Sequence, residues 1–163
     1  MLGYPNQEVS IGMARLYSQA LLRQEAIVES GIAHLAFVMQ TQKVGTVVDC
    51  FNRIFNSIDS HHYPIKDDIS YRTYLQVLML GAALLPYVKT HSNSLLEVEI
   101  GNRHWVLEFK FAEEDHDCEA LLEEGIQQIL KKRYGIGPAV KELIRVALVF
   151  SKQKRQIVAW KEV

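Results

Sequence analysis

The stretch Val106-Leu107-Glu108-Phe109-Lys110-Phe111 alternates apolar and charged residues from Leu107 onward. In an extended strand successive side chains point to opposite faces, so Glu108 and Lys110 share one face while Leu107, Phe109 and Phe111 share the other. The apolar face packs against a core. The other face presents a carboxylate and an ammonium about 6–7 Å apart along the strand. Immediately upstream, Gly101-Asn102 reads as a tight hairpin turn joining a strand over Leu95–Ile100 to the strand over His104–Phe111. Further upstream lie an apolar helix over Ile69–Leu85, stopped by Pro86, and a short strand-like run over Tyr87–Thr90. Downstream, a helix over roughly 117–134 puts Leu122, Ile126, Ile129 and Leu130 on one face and ends near Gly135, with Gly137-Pro138 confirming the break. Leu143–Phe150 and Gln156–Trp160 read as two closing strands. The order αβββαββ predicts an α/β fold, a mixed sheet flanked by helices.

The first third of the chain has a different period. Val9, Met13, Leu16 and Ala20 keep helical spacing after Asn6, a residue suited to an N-cap with Glu8 in the first turn. Ile32, Leu35, Ala36 and Met39 repeat that spacing, and Val47 or Val48, Phe51, Ile54, Phe55 and Ile58 form a third amphipathic stretch. The polar segment DSHHYPIKDD follows. The reading is therefore a helical unit over 1–58, a linker over 59–68, and an α/β domain over 69–163. A unit of roughly 50 residues buries too little to stand alone. Its apolar stripe Val48–Phe51–Phe55 is expected to be covered by the C-terminal domain or by a second copy, a homodimer through the N-terminal helices.

Composition narrows the functional classes. The 163 residues are 48% hydrophobic and 23% charged, with nine glycines and four prolines, which excludes a disordered tail or a collagen-like repeat. Cys50 and Cys118 lie far apart with no CxxC spacing, so a zinc knuckle or disulfide framework is not expected and a cytoplasmic location is. The start of the chain lacks the charge and apolar pattern of a signal peptide, and no apolar run reaches membrane-spanning length, so no membrane partner is expected. The net charge of −1 conceals an asymmetry. Residues 113–124 carry seven acidic groups and no Lys or Arg, whereas 131–155 carry eight basic groups against Glu142 alone. The basic set includes Lys131, Lys132, Arg133, Lys152, Lys154 and Arg155. It reads either as a solvated surface balanced by the acidic run or as a surface facing DNA or RNA phosphates.

A carboxylate and an ammonium on one strand face suit phosphodiester hydrolysis: the carboxylate holds Mg²⁺ or Mn²⁺, and the Lys steadies the attacking hydroxide and phosphate charge. No Walker A motif, HExxH, GxSxG or local cysteine-nucleophile signature competes with that reading.

Helix, strands, ExK strand and helix in this order resemble the core of the PD-(D/E)xK, restriction-endonuclease-like nucleases. Residues 68–160 are similar to the nuclease-like domain at the C-terminus of a large family of AAA-ATPase-like proteins. The resemblance rests on Asp68 and Tyr71 opening the first helix, Val106–Lys110, Gln128–Tyr134 (QILKKRY) and Val146–Trp160 (VALVFSKQKRQIVAW). The head Leu2-Gly3-Tyr4-Pro5-Asn6-Gln7-Glu8-Val9 resembles that family's PNxEV motif, and the chain looks like the tail of such a protein without its ATPase motor. The resemblance implies Glu108 as metal ligand, Lys110 as the charge-stabilising residue, and Gln128 as a helix residue pointing back at the ExK strand. Gly125, one turn before Gln128, would let that helix approach closely.

The family's aspartate on the preceding strand falls at Leu95 here, within SNSLLEVE, and its Gly and Arg are missing too. Glu97, on the same strand face as Leu95, is the candidate substitute ligand; Asp68 is another. Two readings follow. One is a metal-dependent nuclease using Glu108, Lys110, Gln128 and Glu97, with cations from 131–155 on the backbone of DNA or RNA. The other is a non-catalytic nucleic-acid-binding or protein-interaction module derived from the same fold.

Overall fold

The computed structural model describes residues 7–22, 32–81, 94–132 and 142–163. Its elements are α1 (Gln7–Leu21), α2 (Ile32–Thr41), α3 (Val44–Ser57), α4 (Asp68–Gly81), β1 (Leu95–Ile100) and β2 (Arg103–Ala112). A 3₁₀ turn (Asp115–Asp117), α5 (Cys118–Lys132), β3 (Glu142–Ser151) and β4 (Gln156–Glu162) follow. Several expectations lie outside the described residues: the run Tyr87–Thr90, the end of the helix read to Leu85, Arg133, the breaks at Gly135 and Gly137-Pro138, and the chain head before Gln7.

The strands form one sheet in the order β1-β2-β3-β4. β1 and β2 are antiparallel, β2 and β3 parallel, β3 and β4 antiparallel. The sheet is thus mixed and flanked by helices, and further helices precede it, as the residue pattern predicts. The parallel step needs a crossover, which α5 provides. β2, carrying Glu108 and Lys110, is an interior strand. Gly101 takes φ 58° in the β1–β2 turn, a left-handed conformation that a residue without Cβ adopts at least cost.

One face of the sheet packs against α3 and α4. Tyr71 of α4 lies with its ring 4.8 Å from Phe109 of β2, 4.8 Å from Phe55 of α3 and 5.0 Å from Phe150 of β3. Val44, Val47, Val48, Phe51, Ile54 and Phe55 form the buried stripe of α3 and join one apolar cluster with the strands. The stripe that needs a cover finds it in the C-terminal sheet. Asn52 adds a polar clamp: its side chain donates to the Ile157 carbonyl (3.1 Å) and accepts from the Ile157 N–H (2.6 Å). α2 is fixed similarly, because Trp105 Nε1 donates to the Met39 carbonyl at 3.1 Å and Arg103 donates to those of Met39 and Gln42. These bonds satisfy carbonyls that a helix C-terminus leaves open.

The start of α4 is set by Asp67, whose Oδ1 accepts the Ser70 N–H at 2.7 Å while Ser70 Oγ accepts the Asp67 N–H at 3.1 Å. This reciprocal cap stops the preceding segment and fixes where Asp68 enters the fold.

Candidate functional site

The opposite face of the sheet receives α5. Gly125 makes the approach possible: a Cβ there would lie 3.2 Å from Ala147 Cβ, 3.6 Å from Lys110 Cγ and 3.8 Å from Glu108 Cγ. The helix backbone therefore lies close over Ala147 and the ExK pair, and a Cβ at 125 would ask Ala147 to give by a few tenths of an ångström.

Glu108 is fully buried. Ser94 Oγ donates to its Oε1 at 2.5 Å, and no hydrogen-bond partner reaches Oε2 among the described residues. Burial pushes the Glu108 carboxyl above the ordinary range, and Asp68 adds to that push; Ser94, Lys110 and Lys132 pull against it. Lys110 is buried too, and its Nζ donates to Glu124 Oε1 at 2.7 Å. Gln128 Nε2 donates to the same oxygen at 3.0 Å. Glu124 on α5 therefore ties Gln128 to Lys110. Gln128 shares an acceptor with Lys110, and no direct bond between the two is present.

Asp68 joins from another direction. Phe109 N donates to the Ser94 carbonyl at 2.8 Å, at the start of β1. The Asp68 carboxylate lies close enough to Lys110 and to the Phe111 N–H of β2 to be influenced by both. Burial raises the Asp68 carboxyl above its usual value, Lys110 and the Phe111 N–H draw it down, and Asp67 and Glu124 push it up again. Asp68 and Ser94 both line a cavity of about 390 Å³ beside the sheet end.

The β1 side of the site is apolar at the position opposite Glu108. Leu95 stands directly opposite Glu108 in the ladder and is fully buried. Glu97 lies opposite Val106, one same-face step away, and its Oε2 is 3.2 Å from His104 Nε2. Its carboxylate is thus engaged toward the hairpin end of the sheet.

Mg²⁺ keeps near-octahedral geometry and needs converging oxygen ligands. Among the described residues no three His, Cys, Asp or Glu side chains gather in a way that could hold a metal ion. The buried Oε2 of Glu108, without a partner among the described residues, could serve as one ligand, and Asp68 stands near Lys110 and Glu108, but the position opposite Glu108 in β1 is the apolar Leu95. These residues do not fit a complete divalent-metal site.

The basic residues fall into two groups. Lys131 and Lys132 are exposed at the end of α5, where Lys132 is near enough to act on Glu108. Lys152, Lys154 and Arg155 occupy the turn between β3 and β4. Lys152 pairs with Glu113, Lys154 with Asp115 at 3.2 Å, and Gln153 donates to Glu114 at 2.6 Å. The acidic run and this part of the basic run therefore close on each other.

Ser94 and Glu124 were not legible as partners of the pair. A signal for Glu124 exists in retrospect, since it precedes Gly125 and stands four residues before Gln128, so helical spacing aims all three at one strand. Ser94 has no such signal: it matters only because the β1–β2 register puts it beside Glu108.

No helix of the described residues is long and apolar enough to cross a membrane. No curated protein and no solved structure matches the chain. Residues 94–160, which hold β1, β2, α5, β3 and most of β4 and so nearly all of this site, are similar to the family model described as the PD-(D/E)XK nuclease superfamily.

Proposed function

We infer that this chain carries a nuclease-like domain of PD-(D/E)XK type whose metal-dependent phosphodiester hydrolysis is weak or absent. One observation carries the reading. Leu95, apolar and fully buried, stands opposite Glu108 where a second metal-holding acid is required. The pairing of Lys110 with Glu124 supports it, because a Lys charge already matched by a carboxylate is less available to phosphate. Asp68 is a further acid whose carboxylate is close enough to act on both Lys110 and Glu108, and any residual activity rests on it.

A second reading has its own support. Exposed Lys131 and Lys132 lie on the α5 end, next to the ExK face, and suit a DNA or RNA backbone without chemistry. The resemblance of the chain head to the PNxEV motif supports descent from AAA-ATPase-like proteins, and the reduced-type cysteine usage supports a cytoplasmic setting.

The test is cleavage of plasmid DNA and single-stranded RNA with Mg²⁺ or Mn²⁺. The unmodified protein should cleave weakly or not at all. Leu95→Asp should gain metal-dependent cleavage, and adding Glu108→Ala or Lys110→Ala should abolish that gain. Robust cleavage by the unmodified protein, unchanged by Glu97→Ala and Asp68→Asn, would show that the missing ligand is misassigned. Salt-sensitive binding without cleavage, lost in a Lys131→Glu, Lys132→Glu variant, supports the backbone-binding reading.

A further inference from the structure

Away from the ExK face, on the α3 side of the sheet, lies a cavity of about 270 Å³. Its floor is Phe55, Ile58 and Phe150, each nearly fully buried, and Tyr63 forms part of its wall. Lys152 and Arg155 stand at its rim. A cavity of about 150 Å³ holds a benzene ring, so this one accepts a body of indole size. Apolar walls with a few placed polar groups are what small-ligand sites share.

The rim residues are not equivalent. Every other side chain in the turn has an acidic partner: Lys152 with Glu113, Gln153 with Glu114, Lys154 with Asp115. Ser151 Oγ further donates to Asp115 at 2.6 Å and accepts the Lys154 N–H at 3.1 Å, which locks the turn. Arg155 has no such partner: among the described residues no ion pair or hydrogen bond engages its guanidinium. Its backbone also sits at φ 53°, a left-handed conformation that favours glycine. An arginine held at a position where glycine is cheaper, beside an apolar cavity and with its charge unmatched, is a combination that turn geometry does not require. A guanidinium offers two parallel N–H groups that match one carboxylate or phosphate.

We propose that this cavity binds a small amphipathic anion, with an aromatic or branched apolar body on the Phe55–Ile58–Phe150 floor and its single carboxylate or phosphate on Arg155. The site is separate from the ExK face, and it stands whether or not the domain cleaves phosphodiesters.

Ligand-observed NMR titration with indole-3-acetate, its neutral analogue indole-3-acetamide, and phenyl phosphate tests the proposal on the full chain. Indole-3-acetate or phenyl phosphate should bind, and the stronger of the two identifies the head group. The neutral amide should bind about tenfold more weakly than indole-3-acetate, the loss expected for one charge-assisted contact. Arg155→Gly should weaken the anion by a similar factor while leaving Tm equal or higher, since glycine suits that backbone. Ser60→Phe, at the cavity lining, should block all three ligands. No binding of either anion, equal binding of acid and amide, or full binding by Arg155→Gly would each overturn the proposal.

Discussion

The two faces of the sheet are built from the same strands and obey opposite rules. On the α3–α4 face, alternate residues of β2, Trp105, Leu107 and Phe109, share one buried apolar cluster with Phe55, Tyr71 and Phe150. On the α5 face, the intervening residues bury Glu108 and Lys110 as well, with one carboxylate oxygen lacking a partner among the described residues. The first face stabilises the fold through packing. The second carries a desolvation cost that the fold tolerates. A sheet needs only the first, so the second face is where function has to be sought.

The contrast predicts opposite signs for substitutions one residue apart. Phe109→Ala on the packed face should cost about 3–5 kcal/mol, because the rings around Phe109 cannot all collapse into the hole. Urea unfolding measures this, and a loss under about 1 kcal/mol would mean that the face is loosely packed.

Glu108→Gln should act the other way. It keeps an acceptor for Ser94 Oγ and removes a buried charge, so it should stabilise the metal-free protein by about 1–2 kcal/mol near pH 8. The direction with pH follows from linkage. The folded carboxyl titrates above its unfolded value, so the native state holds the proton longer, and native stability falls as pH rises from the unfolded value through the folded one. The advantage of Gln should therefore shrink as pH drops below the ordinary glutamate range. An advantage independent of pH would show that Glu108 is not the group responsible.

Tyr71 sharpens the comparison from within the packed face. Its hydroxyl is fully buried with no partner among the described residues, and burial holds its pKa well above the ordinary value. Tyr71→Phe should raise stability by about 1 kcal/mol with ring packing intact. A loss instead would reveal a hydroxyl partner.

Asp67 gives the smallest effect. Asp67→Ala should cost about 0.5–1 kcal/mol by removing the α4 cap, and thereby loosen Asp68. Its bonds to Ser70 hold the carboxyl below the usual range, so this contribution is present at neutral pH and lost as pH falls through the folded value. Thermal melts across acid pH check it.

The sequence carried the strand alternation, the Gly101-Asn102 turn, α5 and the role of Gly125, because each depends on periodicity or on one residue's backbone freedom. Element ends shifted by one to three residues, as with β2 beginning at Arg103 and α4 at Asp68, where a side-chain cap decides the boundary. The environment of the pair was not legible. Ser94 reaches Glu108 through strand register, Glu124 reaches Lys110 across the helix–sheet interface, and Asp68 comes near Lys110 from α4. Each contact joins residues distant in sequence, and none leaves a local pattern. The partition of the basic run also needed the fold, since only the turn geometry sets Lys152 and Lys154 against Glu113 and Asp115.

The proposal that Leu95 leaves Glu108 without a second metal-holding acid is tested by thermal unfolding with and without millimolar Mn²⁺. The unmodified protein should show the same Tm in Mn²⁺ and in chelator. Leu95→Asp should melt lower than the unmodified protein in chelator, because a second carboxylate is buried beside Glu108, and should rise again in Mn²⁺. At a Mn²⁺ concentration about 100 times its Kd, that recovery amounts to about 2.7 kcal/mol. A Tm of the unmodified protein that climbs in Mn²⁺, or a Leu95→Asp variant that ignores the ion, would show that Leu95 is not what keeps the metal out.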